Sequence, residues 1–166
     1  KVGFKGNPNI GSVVLNQIGQ SEDFENFLNH FEKGDAIFIV SSIFGGTGAS
    51  GFPTLLKNLR KPDANNEGQV TVRESKIGAL SVLPYFRLNS ADEIDDNTFL
   101  SKTKAALDYY SDSLLKEHSE VLDSLYLIGD SETNIVNYAV GDSAQKNPSH
   151  FIELASAWGV FDFSEN

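Results

Sequence analysis

A glycine-rich stretch between two apolar patterns is the part of this sequence best suited to chemistry. Residues 36–56 read "AIFIVSSIFGGTGASGFPTLL", with four glycines inside 45–51. Glycine lets the backbone approach a ligand closely and adopt positive φ at little steric cost. A helix that starts here would also offer unpaired N–H groups and the positive end of its dipole to an anion. Together with the hydroxyl groups of Thr47 and Ser50, these features indicate a site for phosphate groups.

The same turn also has an interpretation without a ligand, because glycines serve simple strand-to-helix turns as well. The spacing of its glycines is interpreted as matching neither the Rossmann pattern nor the P-loop pattern, whose G-K-[ST] ending is absent. On spacing alone, phosphate binding is favoured over a ligand-free turn, and both interpretations stay open.

The elements around the glycines alternate between apolar runs and helical periodicity. Helices are predicted over 21–33, 52–60 and 97–117 and from about 147 onward, strands over 36–43, 77–83 and 122–128, and loops over 61–69 and 130–147. The continuous apolar run at 36–43 is typical of a strand covered on both faces. This alternation predicts an α/β fold, with a three-layer, mostly parallel Rossmann-like sheet and helices on both faces.

Capping residues and apolar stripes refine the predicted helices. Ser21 is the expected N-cap of the first helix, and Pro53 is placed in the first turn of the second, where its missing N–H costs nothing. In the last helix, Asn147 is the expected N-cap and Pro148 the first helical residue. The buried stripes are predicted to be Phe24, Phe27, Leu28 and Phe31; Leu100, Leu107, Tyr110 and Leu114; and Phe151, Leu154, Ala155 and Trp158.

Length and composition indicate a single domain over residues 1–166 with a sizeable core, since 40% of the residues are hydrophobic. The net charge of −10 argues against nucleic acid as a partner, because a phosphate backbone is bound by clustered Lys and Arg. The absence of cysteine fits a reducing, cytoplasmic compartment. No apolar stretch approaches the roughly 20 residues of a membrane span. His30 and His118 are interpreted as solvated positions, and no metal site is assigned.

Three motifs in order resemble those of the tubulin/FtsZ superfamily. The segment "GDAIFIVSSIFGGTGASG" is similar to that family's strand and glycine-rich phosphate loop, whose signature is close to G-G-G-T-G-[SAT]-G. One helix earlier, "GNPNIG" at 6–11 resembles the G-N-P-x-[ILV]-G loop of bacterial FtsZ proteins. The later "ALSVLPYF" is similar to the family's next strand with its Pro–aromatic end. The resemblance covers nearly the whole chain and implies a nucleotide-binding domain of the tubulin/FtsZ type.

That resemblance implies a guanine nucleotide, GTP or GDP, with Mg²⁺ as its companion. By position, the phosphates would be contacted by Gly45, Gly46, Thr47, Gly48, Ala49 and Ser50. Asn7 and Pro8 would lie near the terminal phosphate, with Gly6 and Gly11 supplying the bends of their loop. Members of the family form filaments and hydrolyse nucleotide between subunits. The resemblance therefore also implies self-association and a GTPase reaction at the contact between two copies.

The sequence departs from the family pattern at several points. Phe44 replaces a small residue, and Ser50 stands in place of the last glycine, which indicates a divergent member. The family's first strand and first glycine-rich loop would precede residue 1, so the domain is expected to be incomplete at its N-terminus. Asp162 and Glu165 do not match the spacing of the family's activating loop. No catalytic residue is therefore assigned.

Three other carboxylates are weighed as nucleotide contacts. Asp92 or Glu93 are candidates for the ribose, because "RLNSADE" stands where the family has Phe-Glu-Gly. Glu153 on the last helix has two interpretations, a contact with the base or a solvated position. The solvated position is favoured.

Two alternative functions compete with nucleotide-dependent assembly. Ser50, Asp130 and His150 have the chain order of an α/β-hydrolase triad. Against this, the nucleophile-elbow pattern needs glycine where Phe52 stands, and His150 is expected in the first turn of a helix. The second alternative is a non-catalytic assembly module, which keeps the tubulin-like fold with a degenerate pocket.

Overall fold

The computed structural model describes residues 3–4, 6–61, 66–88, 96–116, 121–131, 135–136 and 149–166. The helices are α1 (Pro8–Leu15), α2 (Glu22–His30), α3 (Gly46–Leu59), α4 (Glu67–Glu74), α5 (Asp96–Tyr110) and α6 (Phe151–Glu165). The strands are β1 (Ala36–Ser42), β2 (Lys76–Val82), β3 (Arg87–Leu88), β4 (Ser124–Ile128) and β5 (Ile135–Val136). A 3₁₀ turn at Ile18–Gln20 precedes α2, and a π-helical turn at Ser111–Lys116 continues α5.

Three strands form a parallel sheet in the order β1-β2-β4. Ile37 of β1 is aligned with Ile77 of β2, and Ala79 of β2 is aligned with Leu125 of β4. The short strands β3 and β5 form a separate parallel pair. Parallel neighbours require crossover connections, and α3, α4 and α5 lie in those crossovers. The predicted α/β class and parallel sheet are confirmed.

Helices cover both faces of this sheet, as predicted. The core on one face combines α2, α3, α4 and the end of α5 with β1 and β2, through Phe24, Leu28, Ile39, Ile43, Phe52, Leu56, Leu59, Val72, Ile77, Ala79, Tyr110 and Leu114. On the other face lies α6, with Gly159 over Leu80 and Phe163 over Gly78. A Cβ atom on Gly78 would lie 2.7 Å from the Phe163 ring, so this close approach requires glycine.

The first predicted helix agrees well with the structure. Ser21 is its N-cap and accepts the N–H of Phe24 at 3.2 Å. Phe24 and Leu28 are buried, whereas Phe27 remains 38% exposed. In α5 and the turn after it, Tyr110 and Leu114 are buried as predicted, but Leu100 is exposed. These stripes were predictable because each belongs to a helix with one apolar side and one polar side.

The start of α3 corrects the prediction for Pro53. The helix begins at Gly46, not near residue 52, so Pro53 lies inside it and not in its first turn. Proline has no N–H to give to the carbonyl four residues earlier, which belongs to Ala49. The Tyr110 hydroxyl donates to that carbonyl at 3.2 Å and replaces the missing helical hydrogen bond. The buried side chain of Tyr110 therefore makes an interior proline tolerable.

The predicted buried stripe of the last helix is wrong. Three of its members are mostly exposed: Phe151 by 53%, Leu154 by 73% and Trp158 by 68%. The buried residues of α6 are instead Ile152, Gly159 and Phe163. Because this helix is apolar on both sides, its periodicity does not decide which side faces the sheet.

Two other predictions also need correction. The predicted loop at 61–69 contains the start of α4, which Asn66 caps by accepting the N–H of Gln69 at 3.0 Å. This helix was missed because it has no long apolar stripe. The strand β1 is not covered on both faces, since Val40 is 54% exposed. Asn147, Pro148, Asp92, Glu93 and His118 lie outside the described residues, and His30 is exposed.

Arg60 follows α3 and ties it to the neighbouring strands. Its guanidinium donates to the carbonyl of Val121 at 3.0 Å and to that of Ser75 at 2.8 Å. It also forms an ion pair of 3.3 Å with Asp123. The same carboxylate of Asp123 accepts the N–H of Ile77 at 2.7 Å. This network joins the end of α3 to the starts of β2 and β4.

Within the part of the chain that the structure describes, no helix has the length and apolar character needed to cross a membrane.

We expect the Tyr110 hydroxyl to matter mainly because Pro53 leaves the Ala49 carbonyl without its helical partner. Tyr110→Phe should lower the free energy of unfolding by about 1–2 kcal/mol, since it removes the hydrogen bond of a buried carbonyl. In a Pro53→Ala background, where residue 53 regains its N–H, the same substitution should cost less. Urea denaturation of the four chains measures this coupling. If Tyr110→Phe lowers the free energy of unfolding equally in the two backgrounds, the tyrosine hydroxyl does not replace the helical N–H that Pro53 lacks.

The pH dependence of unfolding gives a second test of the buried Tyr110 hydroxyl. Burial, and secondarily Tyr109, raise the pKa of the Tyr110 hydroxyl above its ordinary value of 10.0. As pH rises above that value, the unfolded chain loses this proton while the folded chain keeps it, so stability should fall. The fall should be shallower in Tyr110→Phe than in the unmodified chain.

Candidate functional site

The two glycine motifs meet at the carboxyl edge of the parallel sheet. The G-N-P loop (Gly6, Asn7 and Pro8) leads into α1, and Gly45 leads from β1 into α3. A Cβ atom on Gly46 would lie 2.7 Å from the backbone nitrogen of Asn7 and 3.1 Å from that of Gly6. The two backbones are therefore in direct contact. Ligands of parallel α/β sheets bind at this edge.

Gly11 and Gly48 also allow close packing in this region. A Cβ atom on Gly11 would lie 2.2 Å from the Ser50 Oγ and 2.9 Å from the Gly46 carbonyl oxygen. A Cβ atom on Gly48 would lie 2.2 Å from the carbonyl oxygen of Ser42. Such separations do not occur for real side chains, so α1, α3 and the end of β1 pack at distances that only glycine permits.

The first turn of α3 offers free backbone donors. Among the hydrogen bonds between described residues, none uses the N–H of Gly46, Thr47 or Gly48, and the first helical donor is the N–H of Ala49, which bonds to Gly45. Gly46, Gly48 and Gly51 have the spacing G-x-G-x-x-G after a parallel strand, so the interpretation that the Rossmann spacing is absent is wrong. This spacing is typical of turns that bind phosphate. The exposed Thr47 hydroxyl lies on the same turn.

Ser50 has a different role from the one predicted. Its side chain is 2% exposed, and its hydroxyl donates to the carbonyl of Gly46 at 2.6 Å. It therefore packs under α1 and stabilises the helix start without facing the solvent. A phosphate contact through this hydroxyl is not available in this arrangement.

A cavity of about 660 Å³ opens beside the two motifs. It is lined by the G-N-P loop and the start of α1, by α3 and its entry, and by α5, through Gly6, Asn7, Pro8, Asn9, Ser12, Ile43, Phe44, Gly45, Ala49, Pro53, Thr54, Lys102, Ala105, Ala106 and Tyr109. Among the described residues of this lining, Lys102 is the charged one, so this part of the cavity wall carries positive charge in a chain of net charge −10. Its volume lies within the range of pockets for small molecules.

Lys102 also contacts the G-N-P loop directly. Its Nζ donates to the carbonyl of Gly6 at 2.9 Å. Gly6 has φ of +70°, a conformation that favours glycine. This lysine was missed from the sequence. Lys102, Ala106 and Tyr109 have the spacing of residues on one face of a helix. This spacing was the signal that could have indicated that they line one wall of a cavity.

An aromatic row continues from the glycine turn along the same edge. The Phe44 ring lies 6.3 Å from that of Tyr85, and Tyr85 lies 4.8 Å from His150. His150 is also 4.8 Å from the ring of Phe151, whose side chain is largely exposed. The row leads from the start of α3 to the start of α6. Tyr85 belongs to the "LPYF" motif, which the sequence analysis noted without assigning it a role.

His150 has two polar partners, one through each ring nitrogen. Its Nδ1 accepts the N–H of Ile152 at 3.3 Å, which makes His150 the N-cap of α6. Its Nε2 lies 3.5 Å from a carboxylate oxygen of Asp130. This geometry assigns the proton of the neutral ring to Nε2. The Asp130 side chain is 32% exposed and follows β4, so its carboxylate is accessible at the sheet edge.

The hydrolase triad is not assembled. Asp130 and His150 do pair, but Ser50 lies on α3, on the face of the sheet opposite α6, with its hydroxyl turned toward Gly46. Among the other carboxylates, Asp162 accepts from the Tyr126 hydroxyl at 2.6 Å, and Glu153 and Glu165 are exposed. Exposure of Glu153 agrees with its interpretation as a solvated helix position.

No protein-family model matches this chain, and no curated protein matches it significantly. The function is therefore argued from the geometry of the site itself.

We expect Gly11→Ala to separate the two motifs. The new methyl group would meet the buried Ser50 hydroxyl and the Gly46 carbonyl, so the free energy of unfolding should fall by about 1–3 kcal/mol. Gly51→Ala is the matched control, because its Cβ would meet only the flexible Leu15 side chain at 3.3 Å. That variant should keep or gain stability, since alanine favours a helix by up to about 1 kcal/mol. Equal losses in the two variants would contradict the packing argument.

Proposed function

We propose that this chain is a divergent tubulin/FtsZ-like domain that binds a guanine nucleotide and assembles with further copies of itself. The observation that carries the proposal is the direct contact between Gly46 and the G-N-P loop. Two motifs that resemble the family's phosphate loops are distant in sequence, and the fold brings them together at the edge where such sheets bind ligands.

The phosphate end of the nucleotide is assigned to the start of α3. The free N–H groups of Gly46, Thr47 and Gly48 and the helix dipole attract anions there. Lys102 supports the terminal phosphate, because its charge lies beside the same loop. Gly45, Ala49, Asn7 and Pro8 line the adjoining cavity, in agreement with the positions implied by the resemblance.

The base is assigned to the other end of the aromatic row. Nucleobases stack on aromatic rings, and the largely exposed Phe151 ring lies next to His150. The Asp130 carboxylate is an acceptor, whereas the edge of guanine presents N–H donors that the corresponding edge of adenine lacks. This pairing favours a guanine base over an adenine base.

Mg²⁺ fits this site only as a companion of the nucleotide. Mg²⁺ in nucleotide sites is bound by substrate phosphates together with one or two carboxylates, and the part of the cavity lining that the structure describes contains no carboxylate. The exposed Thr47 hydroxyl and Asn7 amide are the neighbouring oxygen donors. When bound, Mg²⁺ would neutralise phosphate charge. The protein would supply orientation of the phosphates through backbone N–H groups.

The assembly module without hydrolysis is the second candidate. It is favoured by one observation, which is that none of the described residues that line the cavity is acidic and could orient an attacking water molecule. In the first candidate, hydrolysis would depend on groups from a neighbouring copy, as the resemblance implies. Nucleotide binding does not distinguish the two candidate functions. GTP turnover must therefore be measured separately, during assembly.

We expect the chain to bind GTP with Mg²⁺, measured by titration calorimetry with ATP as competitor. Thr47→Val and Gly46→Val should each weaken binding by roughly tenfold or more, since one removes a hydroxyl donor and the other forces the G-N-P loop away from the glycine turn. Lys102→Ala should weaken binding of GTP more than of GDP. Lys104→Ala, an exposed lysine on the same helix outside the cavity lining, is the matched control. Failure of the unmodified chain to bind either nucleotide would refute the proposal.

We expect Asp130→Asn to reduce the preference for GTP over ATP by roughly tenfold, because a charged acceptor for the guanine edge is lost. Glu153→Gln removes an exposed carboxylate from the first turn of the same helix that His150 caps, and it should leave the preference unchanged. The measurement is competition of GTP and ATP for the same site. An unchanged preference in Asp130→Asn would remove the base assignment while leaving the phosphate assignment intact.

A further inference from the structure

We propose that the far end of the cavity between α3 and α5 binds a small apolar anion, a molecule with one acidic group on a hydrocarbon body. We define the far end as the part of the cavity lined by Pro53, Thr54, Ala105, Ala106 and Tyr109. The proposed nucleotide site uses the opposite end, at the glycine turn and the G-N-P loop. The inference therefore adds a second ligand and does not depend on nucleotide binding.

The cavity extends beyond the position assigned to the phosphate groups. Along α3 its lining runs from Gly45 to Thr54, which is about 14 Å at the rise of an α-helix. Along α5 it runs from Lys102 to Tyr109, which is about 10 Å. Phosphate groups at the start of α3 therefore leave the far end open to a different molecule.

Two lysines mark the two ends of this cavity. Lys102 donates to the Gly6 carbonyl at 2.9 Å, beside the start of α3. Lys57, in the last turns of α3, donates to the Tyr109 hydroxyl at 2.8 Å. The second positive charge is thus held at the end that the nucleotide assignment does not use.

The wall of the far end is largely apolar. Pro53 contributes a buried ring, and Ala105 and Ala106 contribute only methyl groups, which leave space between the two helices. The Thr54 hydroxyl donates to the Ser50 carbonyl at 2.8 Å, so its proton is used within α3. The body of a ligand here should therefore be apolar, because its removal from water supplies the gain in free energy.

Lys57 and Tyr109 form the polar part of the far end. The Lys57 ammonium lies 5.4 Å from the centre of the Tyr109 ring in addition to its hydrogen bond with the hydroxyl oxygen. Since that oxygen is the acceptor, the hydroxyl proton of Tyr109 can be donated to a ligand. An ammonium group has two further protons to donate. The pair therefore offers several donors and a positive charge to one acidic group.

The charges near this pair favour an anion from solution. Among the ion pairs between described residues, none involves Lys57. None of the described lining residues is acidic either, although the chain has a net charge of −10. An acidic group on the ligand would thus meet its opposite charge without competition from the wall. An apolar wall with one cationic corner selects a carboxylate on a hydrocarbon body over inorganic phosphate, which has no apolar part.

Octanoate is the probe that tests this chemistry, with 1-octanol as its uncharged counterpart. In a nucleotide-free buffer, titration followed by NMR should show saturable octanoate binding with a dissociation constant of about 1 mM or below, as expected for a ligand of this size. Octanol should bind about tenfold more weakly, because it lacks the charge. Tyr109→Phe and Lys57→Gln should each remove most of this difference. Both variants should leave octanol binding unchanged, whereas a merely structural role would weaken both probes.

A second pair of variants tests the location. Ala105→Phe should weaken octanoate and octanol alike by roughly tenfold or more, because the new ring occupies the far end from an exposed position. Ser101→Phe is the matched control, since Ser101 is exposed on the same helix and lies outside the lining. It should bind both probes like the unmodified chain. Circular dichroism establishes that all variants are folded.

Three results would overturn the proposal. The first is the absence of saturable octanoate binding at tenfold the expected dissociation constant. The second is octanol binding as tight as that of octanoate. The third is octanoate binding that Lys102→Ala weakens and Lys57→Gln does not, since the acidic group would then lie at the phosphate end. None of these results bears on GTP binding, because no nucleotide is present in this experiment.

Discussion

The packing around the start of α3 leaves no room for side chains at three backbone positions. Gly46 lies against the G-N-P loop, Gly48 against the end of β1, and Gly11 against Ser50 and the Gly46 carbonyl. Apart from the buried Ser50 hydroxyl, these contacts are made by backbone atoms, which cannot adapt as side chains can. The positions of α1 and α3 relative to the sheet are therefore fixed together. Because of this constraint, the free N–H groups at the start of α3 are held in fixed positions. Such preorganisation lets backbone donors bind an anion well.

Contacts elsewhere in the fold hold α3 in place at its C-terminal end and along its side. Arg60 ties the end of α3 to the starts of β2 and β4, while Tyr110 donates to a carbonyl in its first half. The Arg60 contacts fix the position of α3 along its own axis. The Tyr110 hydrogen bond fixes the distance between α3 and α5. The cavity between α3, α5 and the G-N-P loop exists because these elements are held apart by buried side chains at one end and meet through glycine at the other.

The sequence was informative wherever one physical signal dominated. Apolar runs indicated the parallel strands, and Ser21 marked the start of α2 because its hydroxyl caps a backbone N–H. The glycine-rich turn was recognisable as the candidate site from residue type alone. The start of α3 was misjudged because tertiary packing makes a helix of glycine and small residues that have poor helix propensity. In α6 two apolar sides compete, and only the small Gly159, which lets the helix approach Leu80, distinguishes the buried one. Lys102 was missed because only its spacing with Ala106 and Tyr109 on one face of α5 indicated a shared cavity wall. Asp130 was considered only as a triad member, and the fold pairs it with His150.

The position of β1 in the sheet has a consequence for how the chain behaves at high concentration. In the order β1-β2-β4, the strand that leads into the glycine turn is an edge strand of the described sheet, and its Val40 is exposed. An open edge presents a row of backbone groups that can recruit an extended segment from another molecule, which is the common first step of aggregation. The excess of acidic residues opposes this by keeping molecules apart, so high salt should favour misassembly along this edge. The same strand that positions the site is thus, together with β4, one of the two edges of the described sheet through which molecules could misassemble.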